Sequence, residues 1–283
     1  MQRFSCNGCG QCCTFENRLG PDVALEDLPN LYDKVILQGR VTFNLQGDAP
    51  AQSYAAARHV ADADVRAAIA EHWRQAEESV GIPVPPNRVG IKAQIVMLPD
   101  LSGRCAMLDA DNRCRTYETR PHACRMYPFS SWLPEAAAET GLSLDHCPTG
   151  DDQPVLTDGG AVVDAGYQAD WRRMEALNAS RRALNQFVVR HSMFVRHGVQ
   201  MIQAARAGAT QSFLNLLIFI DAAVQKGILP AADIPAVLTA QRALIVGRIA
   251  EAKARKLKSE RALNAELEHY AQAYGQVLAG LPA

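Results

Sequence analysis

The sequence lacks three features: a long apolar run, an excess of charge, and any cysteine beyond residue 147. Its most apolar stretch, residues 213–220, is too short to span a bilayer. Lysine and arginine number 29 against 30 for aspartate and glutamate, so the net charge of −1 gives no argument for nucleic acid or an anionic membrane. No apolar segment of the signal-peptide type precedes the first cysteine. We therefore expect a cytoplasmic protein that binds neither nucleic acid nor a membrane.

Several catalytic motifs are missing as well. The glycines Gly159 and Gly160 lack the preceding strand and following helix that a dinucleotide or phosphate loop needs. The chain contains neither the G-x-S-x-G turn of serine hydrolases nor the C-x-x-x-C-x-x-C signature of radical enzymes. These absences argue against the enzyme classes that carry those motifs.

What the sequence does contain is a dense group of thiols. Residues 6–13 read C-N-G-C-G-Q-C-C, two consecutive C-x-x-C steps that end in a doubled cysteine. Glycine beside the second thiol lets a loop turn tightly and direct several sulfurs to one point. C-x-x-C spacing is typical of metal ligation, and thiols in a reducing compartment bind metal more readily than they form disulfides. We predict that every cysteine is a metal ligand, namely Cys6, Cys9, Cys12, Cys13, Cys105, Cys114, Cys124 and Cys147.

Eight thiols exceed the four that a structural zinc or a 4Fe–4S cluster takes. Either two four-thiolate sites exist, or one site exists and other cysteines serve differently. Adjacent side chains of an extended segment point to opposite sides, so Cys12 and Cys13 could supply one thiolate to each of two sites. Thiolate ligation alone does not distinguish zinc from iron–sulfur. The alternatives left open are disulfides, ligation by His122 or His146, and a nucleophilic role for Cys12 or Cys13 with His122.

The pattern along the chain predicts an α+β protein. Strands are expected at residues 39–45 and 89–97, and a hairpin should bring Cys105 and Cys114 together through a turn at residues 109–112. Helices are expected from about Asp22, over residues 55–80, at Pro121–Cys124, over 167–198, over 210–226, and over 233–279 with one break. We therefore expect a small, irregular, cysteine-rich metal-binding domain with short strands over residues 1–150, followed by a mostly α-helical bundle domain over residues 161–283.

The motif order resembles the CxxCxxCC cysteine-cluster family, also called YkgJ-like, of zinc- or iron-chelating proteins. The matching blocks are F-S-C-N-G-C-G-Q-C-C at 4–13, C-A-M-L at 105–108, C-R-T-Y-E-T-R-P-H-A-C-R-M-Y-P-F at 114–129, and C-P at 147–148. Met107, Thr116 and Tyr127 stand where the family commonly has Phe, Ile and Phe, and none is a predicted ligand. Flagellin lysine-N-methylases are similar in joining such a domain to a helical region.

The resemblance implies functions that the spacing alone does not. It favours an iron–sulfur cluster, 4Fe–4S, over zinc, and it places Arg120 of the R-P block beside the ligands as a cofactor-binding residue that offsets thiolate charge. Arg104, Arg113, Arg115 and Arg125 are further candidates for that role. The principal expectation is a metal-binding protein. The alternatives are a protein-lysine N-methyltransferase that uses S-adenosylmethionine and acts on a protein such as flagellin, and an interaction module stabilised by zinc.

Overall fold

The structure is a computed structural model, and it describes residues 1–6, 8, 10–14, 21–45, 62–78, 81–84, 87–129, 134, 137–139, 142, 144, 147–188 and 211–281. The predicted ligand Cys9 and the alternative ligand His146 lie outside the described residues, as do parts of the helices predicted over 55–80 and 167–198.

Strands dominate the N-terminal region and helices the C-terminal part, which confirms the α+β class. The strands are β1 (Gln2–Arg3), β2 (Asp22–Val23), β3 (Leu37–Leu45), β4 (Gly81–Val84), β5 (Asn87–Met97), β6 (Val155–Asp158), β7 (Ala161–Val162) and β8 (Gln211–Leu214). The α-helices are α1 (Leu28–Leu31), α2 (Ala63–Glu78), α3 (His122–Arg125), α4 (Ala165–Val188), α5 (Leu217–Gln225), α6 (Ile234–Ala254) and α7 (Arg261–Gly280). Single 3₁₀ turns cover Gln11–Cys13, Leu25–Asp27, Tyr117–Thr119, Ala231–Asp233 and Lys258–Glu260.

The described strands form two sheets. One has the order β1-β6-β7, in which both neighbouring pairs are antiparallel. The other has the order β2-β5-β3-β8, with β4 also pairing with β5 in the antiparallel sense. Pro83 lies inside β4, for which the described residues show one neighbour, β5, and proline is tolerated in an edge strand.

Two further expectations about elements were wrong. The helix expected from Asp22 begins only at Leu25, because Asp22 and Val23 pair with Val96 and Ile95 of β5 as the strand β2. The helix expected from Thr210 begins at Leu217, and Gln211–Leu214 is the strand β8 instead. In both places pairing with distant strands overrides a local helical pattern.

The chain forms two compact units, each drawn from separate segments. Unit 1 comprises residues 1–9, 40–94 and 120–212. Its core is a cluster in which Phe4, Met126, Phe129, Trp171 and Met174 are buried. The ring centroids of Phe129 and Trp171 lie 5.2 Å apart in an edge-to-face arrangement, a geometry that adds to the stabilisation from buried area.

Unit 2 comprises residues 10–39, 95–119 and 213–283, and the helices α6 and α7 pack against each other in it. A buried glutamine of α6 ties the segment before β3 to this helix: the Gln241 amide accepts a hydrogen bond from the Leu37 N–H at 2.9 Å and donates to the carbonyls of Tyr32 and Val35 at 2.6 and 2.8 Å. Satisfied buried amides of this kind fix one arrangement of the segments they join.

The predicted domains 1–150 and 161–283 stay a prediction. No helix in the described part of the chain is long and apolar enough to cross a membrane.

Candidate metal centre

The hairpin that carries Cys105 and Cys114 is present in unit 2, as predicted. Leu108 and Cys114 form an antiparallel bridge, and the Asp109 N–H donates to the Arg113 carbonyl at 2.9 Å. The Asp109 carboxylate accepts from the backbone N–H groups of Asp111 and Arg113, both at 2.9 Å. This is the turn chemistry expected of Asp at the first position.

The N-terminal cysteine turn lies along this hairpin. The Cys13 N–H donates to the Gly10 carbonyl at 3.0 Å and closes the 3₁₀ turn, and the Cys105 N–H donates to the Cys13 carbonyl at 2.8 Å. At the other end, a Cβ on Gly10 would lie 2.8 Å from the Asn112 carbonyl oxygen. Gly10 therefore packs against the tip of the hairpin while Cys13 packs against its base.

Cys12 and Cys13 place their sulfurs on the same side. The two Sγ atoms lie 3.9 Å apart. This differs from the expectation of an extended pair that points in opposite directions, because Gln11–Cys13 forms a 3₁₀ turn rather than a strand. Two thiolates at about 2.3 Å from one tetrahedral ion lie about 3.8 Å apart. The pair is therefore spaced to bind a single ion.

Cys105 is the buried thiol of the group, with 7% of its surface exposed. Burial raises its pKa, hydrogen bonding from the Met107 N–H opposes that rise, and the charges of Cys114, Asp100 and Cys12 add to it. Burial thus disfavours the thiolate form of Cys105, and a bound cation would stabilise that form. Cys114 is half-buried, with its Sγ 3.5 Å from the Thr116 hydroxyl.

The remaining described thiols, Cys6, Cys124 and Cys147, belong to unit 1. Cys124 lies in α3, which follows Pro121 as predicted. Cys6 is exposed, whereas Cys124 and Cys147 are half-buried. The Tyr127 hydroxyl lies 3.5 Å from the Cys147 sulfur. No disulfide joins any two of the seven described cysteines.

The described cysteine side chains do not converge to form a complete metal site. Among the described residues, no three His, Cys, Asp or Glu side chains lie close enough together to hold an ion. A change between staggered rotamers moves a cysteine sulfur by about 3 Å, so side-chain rotation alone can shorten such distances. The eight predicted ligands stay a prediction, and the structure adds the spacing of the Cys12–Cys13 pair and the backbone hydrogen bond that joins Cys105 to Cys13.

The predicted site residues other than cysteine differ in burial and in hydrogen-bond partners. His122 is buried, and its Nε2 lies 2.9 Å from the Asp170 carbonyl, the position of a hydrogen-bond donor rather than a metal ligand. Arg120 is half-buried in unit 1, and its backbone carbonyl accepts a hydrogen bond from the Arg125 Nε at 3.3 Å. The cofactor-binding role of Arg120 stays a prediction. Arg115 donates to the Ala106 carbonyl at 2.7 Å and braces the hairpin.

Sequence reasoning missed Asp100, which organises the loop before Cys105. Its Oδ1 accepts hydrogen bonds from the Ser102 N–H at 2.8 Å, the Ser102 hydroxyl at 2.6 Å and the Arg104 N–H at 2.9 Å. The stretch D-L-S-G at 100–103 carries the residues that favour such a turn, and this signal was available.

One comparison with known proteins gives a match. The family model CxxCxxCC, described as a putative zinc- or iron-chelating domain, matches residues 5–148, which is half of the chain and includes every cysteine. No curated protein and no solved structure matches the chain. The similarity to flagellin lysine-N-methylases is not among these findings.

Proposed function

We propose, since the chain belongs to the CxxCxxCC family of zinc- or iron-chelating domains, that Cys12, Cys13, Cys105 and Cys114 of unit 2 hold one metal ion. The observation that carries this proposal is the 3.9 Å separation of the Cys12 and Cys13 sulfurs. Cys105 is bonded through its backbone to Cys13, and Cys114 lies on the opposite arm of the same hairpin. Four thiolates are a full ligand set for a tetrahedral ion, and rotation of the cysteine side chains is needed to bring all four sulfurs to one point.

The same distance bears on the kind of metal. A 4Fe–4S cluster takes four cysteine thiolates, one for each iron, so its ligand sulfurs are further apart than two sulfurs on one ion. A separation of 3.9 Å suits two thiolates that share one tetrahedral ion. The distance therefore favours a single ion over a cluster. We propose that this ion is zinc, and iron, alone or in the iron–sulfur cluster favoured by the sequence, is the alternative outcome of the test.

The chain's own groups support such a site in two ways. The Met107 N–H bonds to the Cys105 sulfur and favours its charged form. Arg104, Arg113 and Arg115 lie on the same hairpin, and their charges would offset a four-thiolate centre. A site with four protein ligands leaves no open position for substrate, so its role is structural or that of a carrier.

Anaerobic purification followed by elemental analysis and visible absorption tests this proposal. We expect a colourless protein with bound zinc, and Cys105→Ser should lower the metal content. Asp111→Asn is the matched control, since Asp111 is exposed on the same hairpin and its backbone, not its carboxylate, makes the turn bond. A brown protein with iron and sulfide would reject zinc. Unchanged metal content in Cys105→Ser would reject the ligand assignment.

A methyltransferase that uses S-adenosylmethionine and acts on a protein such as flagellin is the alternative function, and it rests on the sequence resemblance alone. Titration of the metal-loaded chain with S-adenosylmethionine tests it directly. A titration without binding removes the alternative.

A further inference from the structure

A cavity of about 610 Å³ lies in unit 2, lined by the end of α6, the connector after it and the first two turns of α7. Its lining residues fall within 252–268, outside the region 5–148 that the family model matches. The volume is in the range of sites that hold small molecules. Four cations and one carboxylate line the cavity, namely Lys253, Lys256, Lys258 and Arg261 against Glu268. On a chain with a net charge of −1, this is a local concentration of positive charge.

Most of this positive charge is not neutralised by the described part of the chain. The Lys253 Nζ lies 2.8 Å from the Glu268 Oε1, and no described acidic residue forms an ion pair with the other three cations. Lysine ammonium and arginine guanidinium groups bind phosphate oxygens through charge-assisted hydrogen bonds. The cavity therefore favours an anionic ligand.

A buried amide in the same cavity also lacks a partner. Asn264 lines the cavity and is 8% exposed, and its Oδ1 has no hydrogen-bond partner among the described residues. Buried polar atoms are nearly always bonded, because an unbonded one destabilises the fold. The amide turns about χ2, a broad torsion in asparagine, so its oxygen or its N–H groups can meet a ligand. The ligand that satisfies this amide both accepts and donates hydrogen bonds.

The two helix ends at the cavity differ in how their backbone groups are bonded. After α6, the Lys256 N–H donates to the Lys253 carbonyl at 3.0 Å and the Leu257 N–H donates to the Ala252 carbonyl at 3.1 Å. The first turn of α7 has no such closure, since the Glu260 side chain does not cap it, and the positive end of its dipole favours an anion. Lys256 also has φ of +54°, where glycine is usual. A strained lysine thus stands at a position that lines the cavity.

We infer that this cavity binds a phosphate monoester. The phosphate oxygens accept hydrogen bonds from the cations that have no carboxylate partner. The singly protonated form, which is present near the second pKa of about 6, also has an O–H that donates to the Asn264 Oδ1. The phosphate belongs either to a free small molecule or to a lipid headgroup. This site is independent of the metal proposed for the thiols.

Calorimetric titration of the full chain with glycerol 3-phosphate tests the inference, and glycerol is the control for the part of the probe without phosphate. We expect one equivalent of the phosphate to bind and glycerol not to bind. Vesicles of phosphatidylcholine with and without phosphatidic acid, whose headgroup is also a phosphate monoester, distinguish the two sources. Binding to the phosphatidic acid vesicles without binding of glycerol 3-phosphate would assign the site to a lipid. Absence of binding to both probes would overturn the inference.

Two variants remove the proposed contacts without a cost to the fold. Lys256→Gly removes a charge but also relieves the backbone strain, because glycine takes positive φ freely. Asn264→Leu replaces the amide with an apolar group and removes the enclosed oxygen that has no partner. Each should weaken binding of the probe about 10-fold, while the thermal unfolding midpoint does not fall. A residue with a structural role alone would leave the affinity unchanged.

Arg255→Gln is the matched control for charge. It removes a cation one residue from Lys256, but Arg255 pairs with Glu251 and lines a different cavity. The affinity should stay within about 2-fold of the wild type. An equal loss in Arg255→Gln would show general attraction to a basic segment instead of a site. That result, or unchanged affinity in Lys256→Gly and Asn264→Leu, would overturn the inference.

Discussion

The contact of Gly10 with the hairpin tip gives a prediction with a matched control. Gly8 and Gly10 both have φ of +71°, in the left-handed region. An alanine in that region costs about 1–2 kcal/mol through its Cβ. No atom of the described residues lies within 4 Å of a Cβ built on Gly8, whereas a Cβ on Gly10 would lie 2.8 Å from the Asn112 carbonyl oxygen and 3.2 Å from the Asn112 Cβ.

Gly10→Ala therefore adds a steric conflict that Gly8→Ala does not. The obstructing atom is backbone oxygen, so relief requires the turn and the hairpin to move apart, and overpacking of this kind costs about 1–3 kcal/mol. A free-energy change of about 1.36 kcal/mol corresponds to a factor of about 10 in an equilibrium constant. When the whole steric cost weakens zinc binding, zinc affinity should fall roughly 10–100-fold further in Gly10→Ala than in Gly8→Ala.

Competition with a chromophoric chelator measures this difference, and thermal unfolding of the loaded proteins checks that both variants fold. Gly8→Ala reports the backbone strain alone, so the difference between the variants isolates the contact with the hairpin. Equal affinities in the two variants would show that the cysteine turn does not press on the hairpin tip. The assignment of Cys12 and Cys13 to the same ion as Cys105 would then lose its geometric support.

The remaining predictions concern unit 2 as a whole. Gln241→Leu removes the side-chain partner of two buried backbone groups and one half-buried one, and chemical denaturation should show a loss of about 3 kcal/mol. Glu260→Gln leaves Arg248 charged and buried, which should cost about 3–5 kcal/mol, whereas Glu251→Gln breaks only an exposed pair and should cost under about 1 kcal/mol. Burial raises the pKa of Asp100, but hydrogen bonds from its own loop outweigh it and hold the pKa below 3.8. Its stabilisation should be full above pH 3.8 and decline as the pH falls through the folded-state pKa, so the wild type should lose more stability on acidification than Asp100→Asn.

The sequence predicted those features that depend on neighbouring residues. The turn at residues 109–112, the short helix after Pro121 and the break between α6 and α7 follow from local Asp, Asn and Pro chemistry and from helical periodicity. The concentration of all eight cysteines within residues 1–147 likewise predicts metal binding from the sequence. Local chemistry also sufficed for the family, since the matched region contains every cysteine.

Features that depend on distant partners were not predictable in this way. β2 exists because Asp22 and Val23 pair with β5 far along the chain, although the local pattern is helical. The relative direction of Cys12 and Cys13 depends on a 3₁₀ turn that closes on Gly10. The pair of Arg248 and Glu260 is enclosed, with 9% and 3% of the side chains exposed, although charged residues are mostly exposed. Burial is a property of the packed chain, and the sequence around these residues does not reveal which charges are enclosed.

Because parts of the hairpin are anchored independently of the thiols, removal of the metal should loosen unit 2 only locally. The Arg248 guanidinium donates to the Pro99 carbonyl at 2.6 Å, and the Leu98 N–H donates to the Ile36 carbonyl at 2.9 Å. These bonds fix the segment before the hairpin to α6 and to the segment before β3. Beyond residue 104, the bond from the Cys105 N–H to the Cys13 carbonyl joins the hairpin to the cysteine turn.

Hydrogen exchange with and without a chelator therefore has a defined expected pattern, since local opening requires only the bonds of the opened segment to break. Amides of residues 10–14 and 105–115 should lose protection in the metal-free chain, because the ligands that held the turn to the hairpin then no longer share an ion. Amides of α6 and α7 should keep theirs, because the buried Arg248–Glu260 pair and the Gln241 bonds do not involve the metal. Loss of protection throughout α6 and α7 would contradict this reasoning and would show that the ion holds the whole unit together.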